Sequence, residues 1–276
     1  MAKSFAHGNY SHTQKKVKQS GGRTQRDLDR RRLSQNFLVD RHAVRLVAEA
    51  SGTHELVLEP GAGEGALTHA LADRSDKVVA YEIDPLLAAK LGARSRDHDR
   101  IEVVKGDFLA ARVPREPFGV AGNIPYSITS KIVDWCLSAP TLTSATLLTQ
   151  REYARKRTGD YGRWSMLTVL SWPSHSWRLL DTVGRDSFRP VPAVDSAIVR
   201  IDHRPGYLLP PDARDAWHDF VEHGFTGLGG SLHATLTTRY PARRVDAAFD
   251  TAGVEPGAVV AFVHPDEWLV LFEELV

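Results

Sequence analysis

Cysteine is almost absent from this chain: its 276 residues include one, Cys136, set in an apolar Trp-Cys-Leu stretch. A lone cysteine excludes an intrachain disulfide and any zinc or iron–sulfur site built from several thiolates, and its neighbours place it in a core. Long apolar runs are absent too. Stretches such as Ala258-Val-Val-Ala-Phe-Val263 fall far short of the ~20 residues that span a bilayer. The residues after Met1 show no secretory apolar segment, so the expected compartment is the cytoplasm, with no membrane partner. The twelve histidines form no His-x-x-x-His pair and meet no carboxylate cluster at ligand spacing, so no metal is expected. An excess of one charge sign is missing as well, with 35 Lys and Arg against 34 Asp and Glu.

What charge there is lies unevenly. Residues 1–35 hold nine Lys/Arg and two Asp, a local +7 that leaves −6 for the remainder. The clusters Lys15-Lys16-Val-Lys18 and Arg30-Arg31-Arg32 sit among Gly and Ser without periodic apolar residues. Residues 1–32 are therefore expected to be a disordered basic arm that orders on a polyanion; the competing reading is a solubilising tail.

After the arm, Asp40 is placed to cap a helix whose face is Val44, Val47 and Ala48, and short apolar runs then alternate with helical patterns. Alternation of this kind predicts a mostly parallel sheet. Strands are expected at 56–58, 78–81, 101–104 and 119–121, and further ones at 145–148, 167–170 and 197–201. The turn-rich Arg204-Pro205-Gly206 marks a boundary. Beyond it, Trp217, Phe220 and Val221, then Val245, Ala248 and Phe249, then Trp268, Phe272 and Leu275 keep helical spacing, which predicts a small helical domain.

The special residues fall at the C-terminal ends of the first four strands, where open parallel sheets bind ligands. Gly61, Gly63 and Gly65 let the backbone pass close to a ligand ahead of a helix, although an isolated glycine turn is often only a turn. Glu82, seventeen residues after Gly65, is where an acidic side chain holds ribose hydroxyls in such folds. These features fit a nicotinamide dinucleotide or S-adenosylmethionine equally. Asp107, followed by Phe108, can accept from an adenine amino group while Phe108 packs on the ring; for Asp107 a turn-capping role competes. The fourth strand delivers Asn123-Ile124-Pro125-Tyr126, which a dehydrogenase has no use for. An exocyclic adenine nitrogen is a poor nucleophile because its lone pair is delocalised into the ring. The Asn123 amide oxygen and the Ile124 carbonyl, on a rigid Pro125 turn, can accept both of its N–H bonds and aim it at an electrophilic methyl, while Tyr126 stacks on a base that has left its helix.

In this order the motifs resemble the rRNA adenine N6-methyltransferase family from about Arg30 to the C-terminus: Ser34-Gln-Asn-Phe-Leu38, Glu59-Pro-Gly-Ala-Gly-Glu-Gly65, Tyr81-Glu-Ile-Asp84, Gly106-Asp-Phe108, Asn123-Ile-Pro-Tyr126 and Phe188-Arg-Pro-Val-Pro-Ala-Val-Asp-Ser196. The resemblance implies an α/β fold, a Rossmann-like S-adenosylmethionine-dependent methyltransferase domain over 33–204 with a small helical RNA-binding domain over 205–276. It implies cofactor contacts from Gln35, Asn36, Leu38, Glu59, Gly61, Gly63, Glu82, Ile83, Asp107, Phe108 and Asn123. Phe188 is implied to lie across the target base from Tyr126; a core-packing role competes.

Within the family, Leu148-Thr-Gln-Arg-Glu-Tyr-Ala-Arg-Lys-Arg-Thr-Gly-Asp-Tyr-Gly162, Thr168-Val-Leu-Ser-Trp-Pro173 and the basic arm resemble the actinobacterial Erm branch. That branch modifies one adenine of the 23S rRNA peptidyl-transferase loop and confers macrolide–lincosamide–streptogramin B resistance. The rival readings are small-subunit rRNA dimethylation, DNA adenine methylation and a non-catalytic RNA binder. For the RNA partner, Arg30, Arg31, Arg32, Arg151, Arg155, Lys156 and Arg157 are the candidate contacts, a solvated charge run being the alternative for each. A monomer without an obligatory protein partner is expected.

Overall fold

Nine strands form among the described residues, and those at the centre of the sheet are the most fully buried. In the computed structural model, which describes residues 36–276, β1 spans Phe37–Leu38, β2 Leu56–Pro60, β3 Lys77–Glu82, β4 Ile101–Lys105, β5 Phe118–Asn123, β6 Leu142–Gln150, β7 His175–Val183, β8 Phe188–Arg189 and β9 Ser196–His203. Seven form one sheet in the order β4-β3-β2-β5-β6-β9-β7. The pairs β4–β3, β3–β2, β2–β5 and β5–β6 are parallel, while β9 runs antiparallel to both β6 and β7. Every residue of β2 is buried, as expected for a central strand covered on both faces. Chain order reverses between β2 and β5, so the two C-terminal ends open a crevice there.

Ten helices form among the described residues, the first of them packed on the sheet. α1 (Arg41–Ser51) is capped as expected, the Asp40 carboxylate accepting from the His42 N–H at 2.9 Å, and it buries Val44, Val47 and Ala48. α2 (Ala66–Ala72), α3 (Pro85–Arg94), α4 (Thr129–Leu137) and α5 (Arg151–Arg157) follow the parallel strands. The stretch 167–170, expected to be a strand, lies within the helix α6 (Met166–Ser171). Its β-branched, apolar residues favour a strand locally, but the Ser165 hydroxyl accepts from the Thr168 N–H and caps a helix that packs on the C-terminal helices. The edge strand β7 had no sequence expectation, because most of its residues are polar or solvent-facing.

The remaining helices are α7 (Arg214–Gly224), α8 (Leu232–Leu236), α9 (Ala242–Ala252) and α10 (Pro265–Leu275). They enclose a core of Trp217, Phe220, Val245, Phe249 and Trp268, which also takes in Val169 of α6. The described residues, 36–276, fall in one compact unit. No described helix is long and apolar enough to cross a membrane.

Candidate active site

Three glycines shape the loop after β2. Gly61, Gly63 and Gly65 have φ of 72°, 59° and 88°, the left-handed region that disfavours other residues. At Gly65 a Cβ would also lie 2.3 Å from the buried Leu91 side chain. Gly61 passes beside Pro125, and at Gly122 an added Cβ would stand 3.0 Å from Pro60, so small residues let the glycine loop and the Asn-Ile-Pro-Tyr loop touch.

Asn123 sits at the end of β5. Its Nδ2 donates to the Asn36 carbonyl at 2.8 Å. A carbonyl only accepts, so the amide nitrogen must face Asn36, and Oδ1 is left directed elsewhere as an acceptor. Next to it, Ile124 is buried, and no described residue donates to its carbonyl. The Tyr126 hydroxyl is 2.6 Å from Ser196 Oγ, which anchors the ring, and burial raises its pKa. Asn36, Phe37, Gly61, Asn123, Ile124, Pro125 and Tyr126 line a small cavity. A second cavity of about 410 Å³ runs along Phe37, Leu38, Glu59, the glycine loop, His69 and Arg94, and shares Asn123 with the first. Asn123 therefore stands in the wall common to both.

Two buried acids hold this region, Glu82 through the loop itself and Glu59 through the helix that follows it. Glu82 is buried and accepts from the Gly63 N–H at 2.7 Å and the Asp84 N–H at 2.8 Å. Burial raises its pKa in spite of those two bonds. Glu59 accepts from the Thr68 hydroxyl at 2.5 Å, and burial pushes its carboxyl up to about 8. It lines the larger cavity, where a cationic ligand group would favour its ionised form.

Several expectations change at this point. Phe188 is fully buried beside Leu38, its partner across the β1–β8 ladder, and offers no face to a base in this arrangement; the core-packing reading is what the structure displays. Phe108 is likewise buried, with its ring against Tyr81 and Trp135 at centroid distances of 5.6 and 4.6 Å, so it cannot pack on a ligand without moving. Asp107 caps the turn after β4 through the Leu109 N–H at 2.9 Å and is exposed. Glu82, Ile83 and Asp107 lie at the ends of β3 and β4 outside the lining of the larger cavity, and Ile83 presents an exposed apolar side chain there.

Of the proposed RNA contacts, Arg151 pairs with Asp195, Arg155 with Asp160, and Arg157 donates to Ser165 Oγ at 2.8 Å. Local acids and hydroxyls thus occupy three of the four cations of that run, which sequence spacing did not reveal. Lys156 is exposed and makes no ion pair among the described residues. Gln35, Arg30, Arg31 and Arg32 lie outside the described residues, as does the arm expected over 1–32.

Sequence reasoning missed Ser196 as the anchor of Tyr126, and His69 and Arg94 in the cavity wall. Ser196 closes the Phe188–Ser196 motif, so its place there was the available signal. His69 follows Gly65 by one helical turn, its Nδ1 2.7 Å from the Gly65 carbonyl.

The family model described as ribosomal RNA adenine dimethylase matches residues 26–276. An rRNA adenine N-6-methyltransferase of Saccharopolyspora erythraea is 54% identical over 259 residues, 92% of this chain and 67% of that protein. The mycinamicin-resistance protein MyrB of Micromonospora griseorubida is 38% identical over 245 residues, 88% of this chain and 78% of that one. The crystal structure of the 23S rRNA methyltransferase ErmE superposes with a TM-score of 0.84 at 54% identity, covering 87% of this chain and 99% of the other.

Proposed function

The chain belongs to the ribosomal RNA adenine dimethylase family, and we propose that it transfers methyl from S-adenosylmethionine to N6 of one adenosine in the peptidyl-transferase loop of 23S rRNA, conferring macrolide–lincosamide–streptogramin B resistance. The similarity to ErmE and MyrB supports this substrate and this consequence. A ribosomal substrate puts the reaction in the cytoplasm, and a single chain holds every element of the proposed site.

The residues present suit the cofactor: the larger cavity joins a buried acid, Glu59, to a loop of positive-φ glycines, and Ile83 and Asp107 offer an apolar face and a carboxylate at the neighbouring strand ends. When bound, S-adenosylmethionine supplies an electrophilic methyl carried on a sulfonium sulfur. Asn36 holds the Asn123 amide so that Oδ1 accepts from the target amino group; the Ile124 carbonyl accepts its second N–H. Tyr126, pinned by Ser196, stacks on the extruded base. Two acceptors restrict the nitrogen to one approach, which lowers the entropy to be lost on the way to transfer. No side chain need take a proton during transfer, because the methylated amine releases its proton to water afterwards.

The observation that carries this reading is the Asn123–Asn36 bond, which fixes the amide's orientation in the wall shared by the two cavities. With labelled cofactor, the expected result is label on 23S rRNA and a loss of roughly 10²-fold or more in turnover for Asn123→Ala, with cofactor affinity retained. Turnover that survives the substitution refutes the mechanism. Label on the small-subunit hairpin alone refutes the substrate.

A further inference from the structure

The loop after α5 holds an aromatic ring in the open by an unfavourable backbone. Tyr161 has φ 65°, the one non-glycine residue with positive φ among the described residues, and lies between Gly159 at 71° and Gly162 at 66°. Its side chain is 65% exposed, so no core contact offsets that conformation. The Arg155 guanidinium covers its ring at 3.3 Å from the centroid. Next to it, Phe262 is 50% exposed, its ring 3.9 Å from where a Cβ on Gly162 would stand, and the Arg163 guanidinium lies 5.1 Å from its centroid. The Trp164 N–H donates to the Ala261 carbonyl at 2.7 Å and ties the two segments together. Two exposed rings, each bearing a guanidinium, thus form one patch.

The patch lies on the active-site rim. Asn123 pairs with Leu148 of the parallel β6, whose end leads into α5. The Arg151 N–H donates to the Asp195 carbonyl, and the adjoining Ser196 holds Tyr126. Seven residues of α5 rise about 10 Å from there towards Tyr161. Asp160 and Glu152 neutralise Arg155, whereas Arg163 over the Phe262 ring and Lys156, the residue after Arg155, are exposed and make no ion pair among the described residues.

We propose that Tyr161 and Phe262 form a stacking platform for unpaired nucleotides flanking the target adenosine, with Lys156 and Arg163 on their phosphates. The inference rests on the rRNA substrate proposed above and names how that substrate is held. An aromatic face takes any base, and cations beside it take the backbone, the combination that binds single strands. The neighbouring cations and the link to the base pocket through the end of β6 favour nucleic acid as the occupant.

The test uses the full chain and an RNA hairpin carrying the peptidyl-transferase loop, with affinity followed by fluorescence anisotropy across a salt series. Tyr161→Ala and Phe262→Ala should each weaken RNA binding roughly 5- to 100-fold with an unchanged salt slope. Tyr161→Phe should stay within about twofold of the parent, since the ring persists. Lys156→Ala and Arg163→Ala should each lower the slope by about 0.7–0.9. Tyr161→Gly relieves the backbone, so it should melt no lower than the parent while binding RNA as poorly as Tyr161→Ala; this separates stacking from folding. S-adenosylmethionine affinity should not change. Parental affinity in Tyr161→Ala and Phe262→Ala overturns the platform, as does an equal loss in Tyr161→Phe or a melting point lowered in Tyr161→Gly. A parent protein that methylates 23S rRNA while these variants bind normally refutes only the platform; a parent that leaves 23S rRNA unlabelled refutes the substrate beneath it.

Discussion

Glu59→Gln should stabilise the free protein and weaken its hold on the cofactor, with both effects set by pH. The carboxyl is 2% exposed, and burial pushes it up to about 8, against 4.5 for an ordinary glutamate. Between those values the folded protein keeps a proton that the unfolded chain has released. Stability is therefore intact below about pH 4.5, falls as pH rises, and levels off above about 8. At about 1.4 kcal/mol per pH unit, the loss reaches about 3 kcal/mol at pH 7 and at most about 5 kcal/mol above pH 8. Glutamine keeps the shape, and its side-chain oxygen can still accept from Thr68, so it escapes that loss. Guanidinium unfolding of the ligand-free proteins should give matching stabilities near pH 4.5 and a difference of about 3 kcal/mol in favour of the variant at pH 7. Taking the difference cancels other titrating groups, such as His175, whose pKa burial lowers to about 4. Cofactor affinity should run the other way: a cationic ammonium beside Glu59 favours the ionised acid, so the parent's affinity rises from pH 6 to 8 and the variant's stays flat. Parallel stability curves for the two proteins from pH 5 to 8.5 would refute the argument.

Gly65→Ala places a Cβ against the buried Leu91 at a φ of 88°, so it should cost about 1–3 kcal/mol of stability and weaken cofactor binding, as read by thermal melts and calorimetry; an unchanged melt would refute the packing account. Phe188→Ala should lose about 3–5 kcal/mol as a core truncation, while Phe188→Leu keeps most stability and turnover; turnover lost in a well-folded Phe188→Leu would instead place the ring on the base. Removing residues 1–29 should weaken RNA binding and flatten its salt dependence at constant cofactor affinity; identical binding curves would make those residues a tail only.

The sheet was legible because short apolar runs of about three to five residues alternate with helical patterns, and burial on both faces leaves such a strand little freedom in composition. The cavity-forming loops were legible too: glycines at Gly61, Gly63 and Gly65 answer a backbone need that no other residue meets cheaply, and Asn123-Ile-Pro-Tyr126 answers a chemical one. Tertiary structure decided the rest. Residues 167–170 carry strand propensity, yet a serine cap and the C-terminal helices make them part of α6. Phe188 and Phe108 stand in motifs associated with ligands but are packed inside, because a sequence does not say which side of a loop is covered. Arg151, Arg155 and Arg157 read as free charge until folding brings Asp195, Asp160 and Ser165 beside them. The orientation of the Asn123 amide depends on Asn36, 87 residues away in the chain, and a contact of that range exists only once the sheet has assembled around it.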